Sequence, residues 1–378
     1  MVKIGVIGGG QLARMMVPPA VALGLELKVL AETEDSSAAI AATMVGDYNQ
    51  LQVVRDFAKT VDVITFDHEH VPLSILETLV SEGVAVHPSP SALRFSQNKL
   101  EMRRRLGALN LPMPDWAEIS TREELQEFLD AHSGEIILKT PIGGYDGKGV
   151  RVVSSSSQVS DWFEPAALAS LGGQLLAEEK VNFSRELAQL SARNPSGEFK
   201  AWPVVETRQK NGVCSEVLAP APNISNELAA QSKKIAELIS SSLGVTGNLA
   251  VEMFETHEGK LLVNELAMRP HNSGHFSIEG STTSQFEQHL RAVLDLPLGE
   301  TTCAEPSVMV NLLGVSDEFD FVENYPELMK QFASAKLHSY GKSPRIGRKL
   351  GHITVVGGTQ EVALATALKA RALILGVR

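Results

Sequence analysis

At 378 residues the chain is too long for one ordinary hydrophobic core, so two or three domains are expected. A hydrophobic content of 43% with 21% charged residues describes a globular chain, and a net charge of −11 argues against a broad nucleic-acid or anionic-membrane surface while leaving room for a local basic pocket. Cys214 and Cys303 lack metal-ligand spacing and are expected as free thiols; no stretch reaches the roughly 20 apolar residues of a membrane span, no signal peptide is read, and a cytoplasmic location is expected.

The first hundred residues alternate strands (3–7, 26–30, 61–66, 84–87) with helices (11–23, 51–60, 72–82). That rhythm predicts a parallel sheet with helices on both faces. A single helix is expected over 92–109. The opening "GVIGGGQLARM" fits the dinucleotide fingerprint through Gly8, Gly10 and Ala13, with Glu32 at the end of the second strand where a ribose-binding acid would stand. Taken alone, this motif points to an NAD-dependent oxidoreductase. His68 and His70 in "DHEH" have no evident third ligand and are read as structural.

A smaller α/β unit follows over 116–173: helix 122–132, strand 135–139, a glycine-rich loop and strand 150–153. In "LKTPIGGYDGKGV", Lys139 ends a strand, and Gly143, Gly144, Gly147 and Gly149 surround Lys148. Backbone N–H groups of such a loop can approach phosphate oxygens, although the GK[ST] ending of a Walker loop is missing. The middle of the chain predicts antiparallel strands (175–180, 185–193, 199–205, 214–219), then a helix over 227–243. In "AEEKVNFSRELA" a strand-to-strand connector can offer backbone groups to an adenine edge, with an acid for ribose hydroxyls. Residues 306–378 read as a small terminal unit ending in a helix near 361–375.

The most informative stretch runs from Gly247 to His275. Leu249, Val251 and Met253 alternate with Ala250, Glu252 and Phe254, "HEGK" turns the chain, and 261–265 returns. A two- or four-residue loop places Glu252 directly opposite Glu265. Opposed residues hold their Cβ atoms about 5 Å apart, and two ionised carboxylates there repel. Such a pair requires a proton, a basic side chain or a divalent cation.

The combination resembles the ATP-grasp superfamily and, within it, the family of 5-(carboxyamino)imidazole ribonucleotide synthases. "GGGQLARM", "QNKLEMR", "GGYDGKG", "EEKVNFSRELA", "VEMFE", "NELAMRPHNSGH" and "GRKLGHI" carry the likeness in family order. The resemblance implies mixed α/β and α+β architecture: a Rossmann-like domain over 1–98, an ATP-grasp domain over 99–305 with a lid at about 115–175, and a small C-terminal β-rich domain over 306–378. It implies ATP with Mg2+, or Mn2+, carboxylating the amine of 5-aminoimidazole ribonucleotide with bicarbonate through carboxyphosphate, in a homodimer with no nucleic-acid or membrane partner. By the same resemblance Lys99, Lys139 and Gly144–Gly149, including Tyr145, Asp146, Gly147 and Lys148, hold ATP phosphates. Glu179, Lys180 and Val181 meet the adenine and Glu186 the ribose. Glu252 and Glu265 ligate the metal, with Asn264 beside them. Gln11, Leu12, Tyr145, Asp146, Arg193, His271, Asn272 and Ser273 line the acceptor site, and Lys342, Arg345 and Arg348 grip its phosphate. Arg269 and His271, with Lys139, act on the reacting groups. The loop 143–149 would close as a lid. Ala267 stands where many members have Asn, Lys99 where Arg is common, and Met268 where Pro is usual. In this family the Gly8–Gly10 turn reports fold geometry, and Glu32 is then a surface acid.

Overall fold

The computed structural model describes residues 1–132, 134–143, 149–318 and 321–377. A parallel sheet forms the N-terminal layer from β1 (Lys3–Ile7), β2 (Glu26–Ala31), β3 (Ala42–Val45), β4 (Val63–Phe66) and β5 (Ala85–Val86), in the order β3-β2-β1-β4-β5. Its central strands β1 and β4 are short, largely apolar and buried on both faces, as burial under helices on either side requires. The helices Gln11–Ala22, Leu51–Ala58 and Leu73–Ser81 supply that cover, so the alternation in the sequence is realised, with β3 added at the sheet edge.

The expected single helix over 92–109 is two, Pro90–Gln97 and Lys99–Ala108. The break falls at Asn98, which leaves helical geometry so that its Oδ1 can accept from Leu100 N at 3.0 Å and Glu101 N at 3.2 Å. Lys99 thereby becomes the first residue of the second helix, and its N–H donates to Pro141 O at 2.9 Å. This fixes the helix start against the entrance of the glycine loop.

A four-stranded antiparallel sheet comes next: β6 (Trp116–Ile119), β7 (Ile136–Lys139), β8 (Val150–Val153) and β9 (Leu175–Glu179), in the order β6-β9-β7-β8. Helix Arg122–Ala131 covers it, started by a capping box between Thr121 and Glu124. Leu125, Leu129, Ile136, Leu138 and Val153 form its own small core.

The third sheet has nine strands: β10 (Phe183–Arg193), β11 (Phe199–Ala201), β12 (Val205–Lys210), β13 (Val213–Ala219), β14 (Gly247–Thr256), β15 (Leu261–Ala267), β16 (Ser307–Leu313), β17 (Lys336–Ser339) and β18 (Lys349–Val356). Its order is β15-β14-β10-β12-β13-β16-β18-β17, with β11 paired to β10. The strand expected over 199–205 splits into β11 and β12 at Trp202-Pro203, because proline has no N–H for the ladder. Residues 306–378 do not close a sheet of their own: β13 and β16 pair from Glu216↔Val310 to Ala219↔Ser307. Helix Asn226–Leu243 packs its buried face, Ile235, Ala236, Ile239 and Leu243, into the same core as Leu249, Val251 and Met253. Among the described residues no helix is long and apolar enough to cross a membrane.

Candidate active site

The hairpin β14–β15 pairs Glu252 with Glu265, by a route different from the expected one. The turn has three residues, closed by Thr256 N donating to Lys260 O at 2.9 Å. That shifts the register by one, and Met253 pairs with Val263. Asn264 is then an extra residue on β15, a bulge that restores Glu252↔Glu265. Bulges re-aim side chains, and here Asn264 and Glu265 both reach lysines: Lys139 Nζ donates to Asn264 Oδ1 at 3.2 Å, and Lys99 Nζ lies 2.8 Å from Glu265 Oε1. Bulged backbone needs outside partners, and Arg103 supplies them. Its Nη1 and Nη2 donate to Val263 O and Asn264 O, both at 2.8 Å.

Arg103 is fully buried and also donates through Nε to Glu178 Oε1 at 2.6 Å. Glu178 takes Lys139 Nζ on its other oxygen, also at 2.6 Å. Burial would raise the Glu178 carboxyl, but Lys139 and Arg103 outweigh it and hold it below the usual range. Neither Arg103 nor Glu178 was among the expected site residues. The pair "EE" at 178–179 carried one signal: strand alternation sends one of two adjacent acids inward.

The two hairpin acids sit in opposite electrostatic states. Burial also raises Glu265, yet Lys99 and Lys139 bring it below its ordinary value. Glu252 is pushed up to about 7 by burial and by the charges of Glu265 and Glu186, against which Lys349 and Arg269 are insufficient. Glu186 shares the face of Glu252, because Ala188 pairs with Glu252 and Glu186 stands two residues along β10. Its own carboxyl is raised by burial. This corner of the site holds more negative charge than its cations offset.

Arg269 and His271 follow β15. Glu69, in "DHEH", lies 3.4 Å from Arg269 Nε and accepts from Met268 N at 2.5 Å, so the N-terminal layer positions the loop. His271 Nε2 is 3.4 Å from Glu252 Oε1, and its Nδ1 is 2.8 Å from Ser273 Oγ. Burial, with Arg269 and Lys349 nearby, lowers His271 to about 3, so it is a neutral imidazole. Asn272 Nδ2 donates to Asn311 Oδ1 at 3.0 Å on β16.

The remaining expected residues divide. Gln11 begins the first helix, and its Oε1 accepts from Lys342 Nζ, joining the two ends of the chain. Leu12 goes into the apolar core with Phe286, Leu290 and Tyr340, which leaves only its backbone to meet a ligand. Arg348 Nη1 donates to Ser343 O and Oγ and staples its own loop, while Arg345 is exposed. Arg193 is not brought to the acids: it pairs with Gly247, five residues from Glu252 along β14, which puts it on the opposite face. Glu179 Oε1 accepts from Asp115 N at 3.1 Å, and Lys180 Nζ pairs with Glu135; with Val181 they lead from β9 to β10. Gly149 closes the glycine loop through Thr140 N at 2.9 Å; Gly144, Tyr145, Asp146, Gly147 and Lys148 lie outside the described residues.

The N-terminal fingerprint contains its own anions. Asp67 Oδ1 accepts from Ala13 N at 2.7 Å, and Glu32 Oε2 accepts from Gly9 N at 2.9 Å. A Cβ on Gly10 would lie 2.0 Å from Asp67 Oδ2. Glu32 also meets His68 Nε2 at 3.2 Å; these bonds outweigh partial burial and lower it to about 2. Glu32 is thus a structural acid tied to the turn rather than an idle surface one.

The ATP-grasp domain family matches residues 104–286, the ribonucleotide synthetase preATP-grasp domain 1–97, and the phosphoribosylaminoimidazole carboxylase C-terminal domain 307–366. The chain is 46% identical over 359 residues to the N5-carboxyaminoimidazole ribonucleotide synthase of Mycobacterium tuberculosis, covering 94% of this chain and 83% of that one. Against the Bacillus subtilis enzyme of the same name the identity is 37%, covering 93% and 90%. The Aspergillus clavatus N5-carboxyaminoimidazole synthase, solved with ADP and 5-aminoimidazole ribonucleotide, superposes with a TM-score of 0.87 at 32% identity, covering 100% of this chain and 99% of that one. With likeness along nearly its whole length, the chain belongs to the N5-carboxyaminoimidazole ribonucleotide synthase family of ATP-grasp ligases.

Proposed function

We infer that the chain uses ATP and bicarbonate to carboxylate the amine of 5-aminoimidazole ribonucleotide, a step of purine biosynthesis. The observation that carries this reading is the opposed pair Glu252 and Glu265 beside two lysines, the buried Lys99 and the partly buried Lys139. The donor set suits a hard divalent cation. Among the described residues no cluster of three or more metal-ligating side chains exists, and magnesium prefers a few carboxylates completed by phosphates and water. Glu252, left with excess negative charge, and Glu265 would hold Mg2+, or Mn2+ in its place, with Asn264 adjacent. Bound there, the ion offsets charge on the phosphate oxygens.

The protein's own groups do the rest. Lys139 and Lys99 exchange part of their pairing with Glu178 and Glu265 for the phosphates. Bicarbonate oxygen attacks the γ-phosphorus, the bond to the β-phosphate oxygen breaks, and ADP leaves with carboxyphosphate formed. Arg269, held by Glu69, faces the anionic intermediate. Water must be excluded because carboxyphosphate hydrolyses. The amine then attacks the carboxyl carbon of carboxyphosphate and phosphate leaves, or it attacks carbon dioxide released from carboxyphosphate together with phosphate. Neutral His271, whose Nδ1 accepts from Ser273 N, orients the intermediate or moves a proton. Lys342, set by Gln11, and the neighbouring Arg345 and Arg348 receive the ribonucleotide phosphate. Glu179, Lys180, Val181 and Glu186 are assigned to the adenosine end. A homodimer in the cytoplasm completes the reading.

The test is ADP release with 5-aminoimidazole ribonucleotide and with other amines, each with and without bicarbonate. Release should need bicarbonate and be stimulated by 5-aminoimidazole ribonucleotide alone. Equal stimulation by unrelated amines would overturn the acceptor assignment.

A further inference from the structure

Gln285 begins the helix Gln285–Val293, is fully buried, and lies fourteen residues beyond His271. Its side-chain amide grips the backbone of His271 from both sides. Oε1 accepts from His271 N at 2.8 Å, and Nε2 donates to His271 O at 2.8 Å. The second Nε2 hydrogen points to His275 Nδ1, also at 2.8 Å. These partners fix the amide orientation: a flipped amide would set two donors face to face at His271 N and two acceptors at His271 O. They also fix the tautomer of His275, whose Nδ1 must accept.

The surroundings are built for this contact. Gln285 N donates to Ser277 Oγ at 2.8 Å, and Gln285 O accepts from Asn248 Nδ2 at 2.9 Å. A Cβ on Gly274 would meet Gln285 Oε1 at 2.4 Å, so a side chain there would push the amide off His271. Beyond Gln285, the His275 ring lies 5.0 Å from that of His352, whose Nδ1 is 2.9 Å from Tyr340 Oη. Tyr340 stands two residues before Lys342. The amide therefore sits between the loop bearing Arg269 and His271 and the strand leading to Lys342.

We propose that Gln285 is a positioning residue for the carboxylation: through its two-sided grip on His271 it holds Arg269 and His271 in register with Glu252, so that the intermediate is delivered to the amine and not lost to water. The proposal rests on the reading of the site given above. The hydrogen bonds of Gln285 go to His271, His275, Ser277 and Asn248, and none goes to Lys99, Lys139, Glu252 or Glu265, so nucleotide binding should not depend on it. A displacement of about 1 Å in a reacting group can cost about 100-fold, and outer-shell partners commonly contribute 10- to 100-fold.

The experiment compares wild type with Gln285→Glu, which keeps the shape but presents acceptors to His271 O and His275 Nδ1. ADP affinity, and the ratio of ADP released to carboxylated product, are measured in each. Expected are wild-type ADP affinity, carboxylation reduced about 30- to 100-fold, and several ADP released per product. Should Gln285→Glu not fold, Gln285→Met is read by the same ratio. One ADP per product in the variant that folds would overturn the proposal, and so would loss of ADP affinity in parallel with loss of carboxylation. Wild type that fails to carboxylate 5-aminoimidazole ribonucleotide refutes the underlying reading instead, so the two failures are distinguishable.

Discussion

Two acids of this molecule, Glu32 at the N-terminal turn and Glu252 at the hairpin, end in opposite states. At the N-terminal turn, Asp67 and Glu32 accept from Ala13 N and Gly9 N, and Glu32 drops to about 2. At the hairpin, Glu252 meets Glu265 and Glu186 and rises to about 7. Glu32 is matched by its own donors, although burial raises its neighbour Asp67; Glu252 is not matched. The protein's own acids occupy backbone donors of the fingerprint at Gly9 N and Ala13 N, whereas at the hairpin Glu265 is matched by Lys99 and Lys139 and Glu252 keeps charge that Lys349 and Arg269 do not offset. That surplus charge at Glu252 supports placing the proposed binding site at the hairpin.

The sharpest way to break this contrast is at the hairpin. Glu265→Ala should lower bicarbonate-dependent ADP release by roughly 10³-fold, measured by a coupled ADP assay; normal turnover would remove the metal assignment. The next test uses pH. A carboxyl raised in the folded state contributes stability that is complete below its unfolded value near 4.5 and is lost as pH rises through about 7, up to about 3 kcal/mol without metal. Glu252→Gln should therefore make the metal-free protein more stable at pH 8 and flatten its urea midpoint between pH 5 and 8. Mg2+ should bind wild type more tightly as pH rises through 7, because it displaces that proton. A midpoint with the same pH slope in wild type and Glu252→Gln would contradict the assignment.

At the turn the effects are smaller and structural. Gly10→Ala forces Asp67 away from Ala13 and should cost about 1–3 kcal/mol, seen as a lower melting temperature. Glu32→Gln should cost about 1 kcal/mol and leave carboxylation within a few-fold of wild type. Titration with NADH should give no saturable fluorescence change. A tight NADH complex would reverse the comparison.

Much of the architecture was legible in the sequence because it rests on local pattern: the alternating strands and helices of the first hundred residues, the antiparallel middle, the facing acids. The acid pair was reached through two departures that cancel, a three-residue turn and a bulge at Asn264, neither of which alternation reveals. The break at Asn98 was readable, since Asn98 precedes Glu101 by three residues in a capping pattern, but continuous helical composition hid it. Arg103, Glu178, Glu69 and Gln285 were not legible as site residues. Each acts on a segment at least fourteen residues away in the chain, and only the folded packing brings the partners together. Arg193, expected to line the acceptor site, lies by strand parity on the face opposite Glu252.

The junction of β13 with β16 makes the last seventy residues inseparable from the ATP-handling body. Cutting the chain at 305 would strip a central strand of its neighbour and leave a bare row of amides and carbonyls, an invitation to aggregate. The segment that carries Lys342 is therefore no detachable accessory. Evolution could retune its loops for a different acceptor, but exchanging it wholesale would mean rebuilding the longest sheet in the molecule.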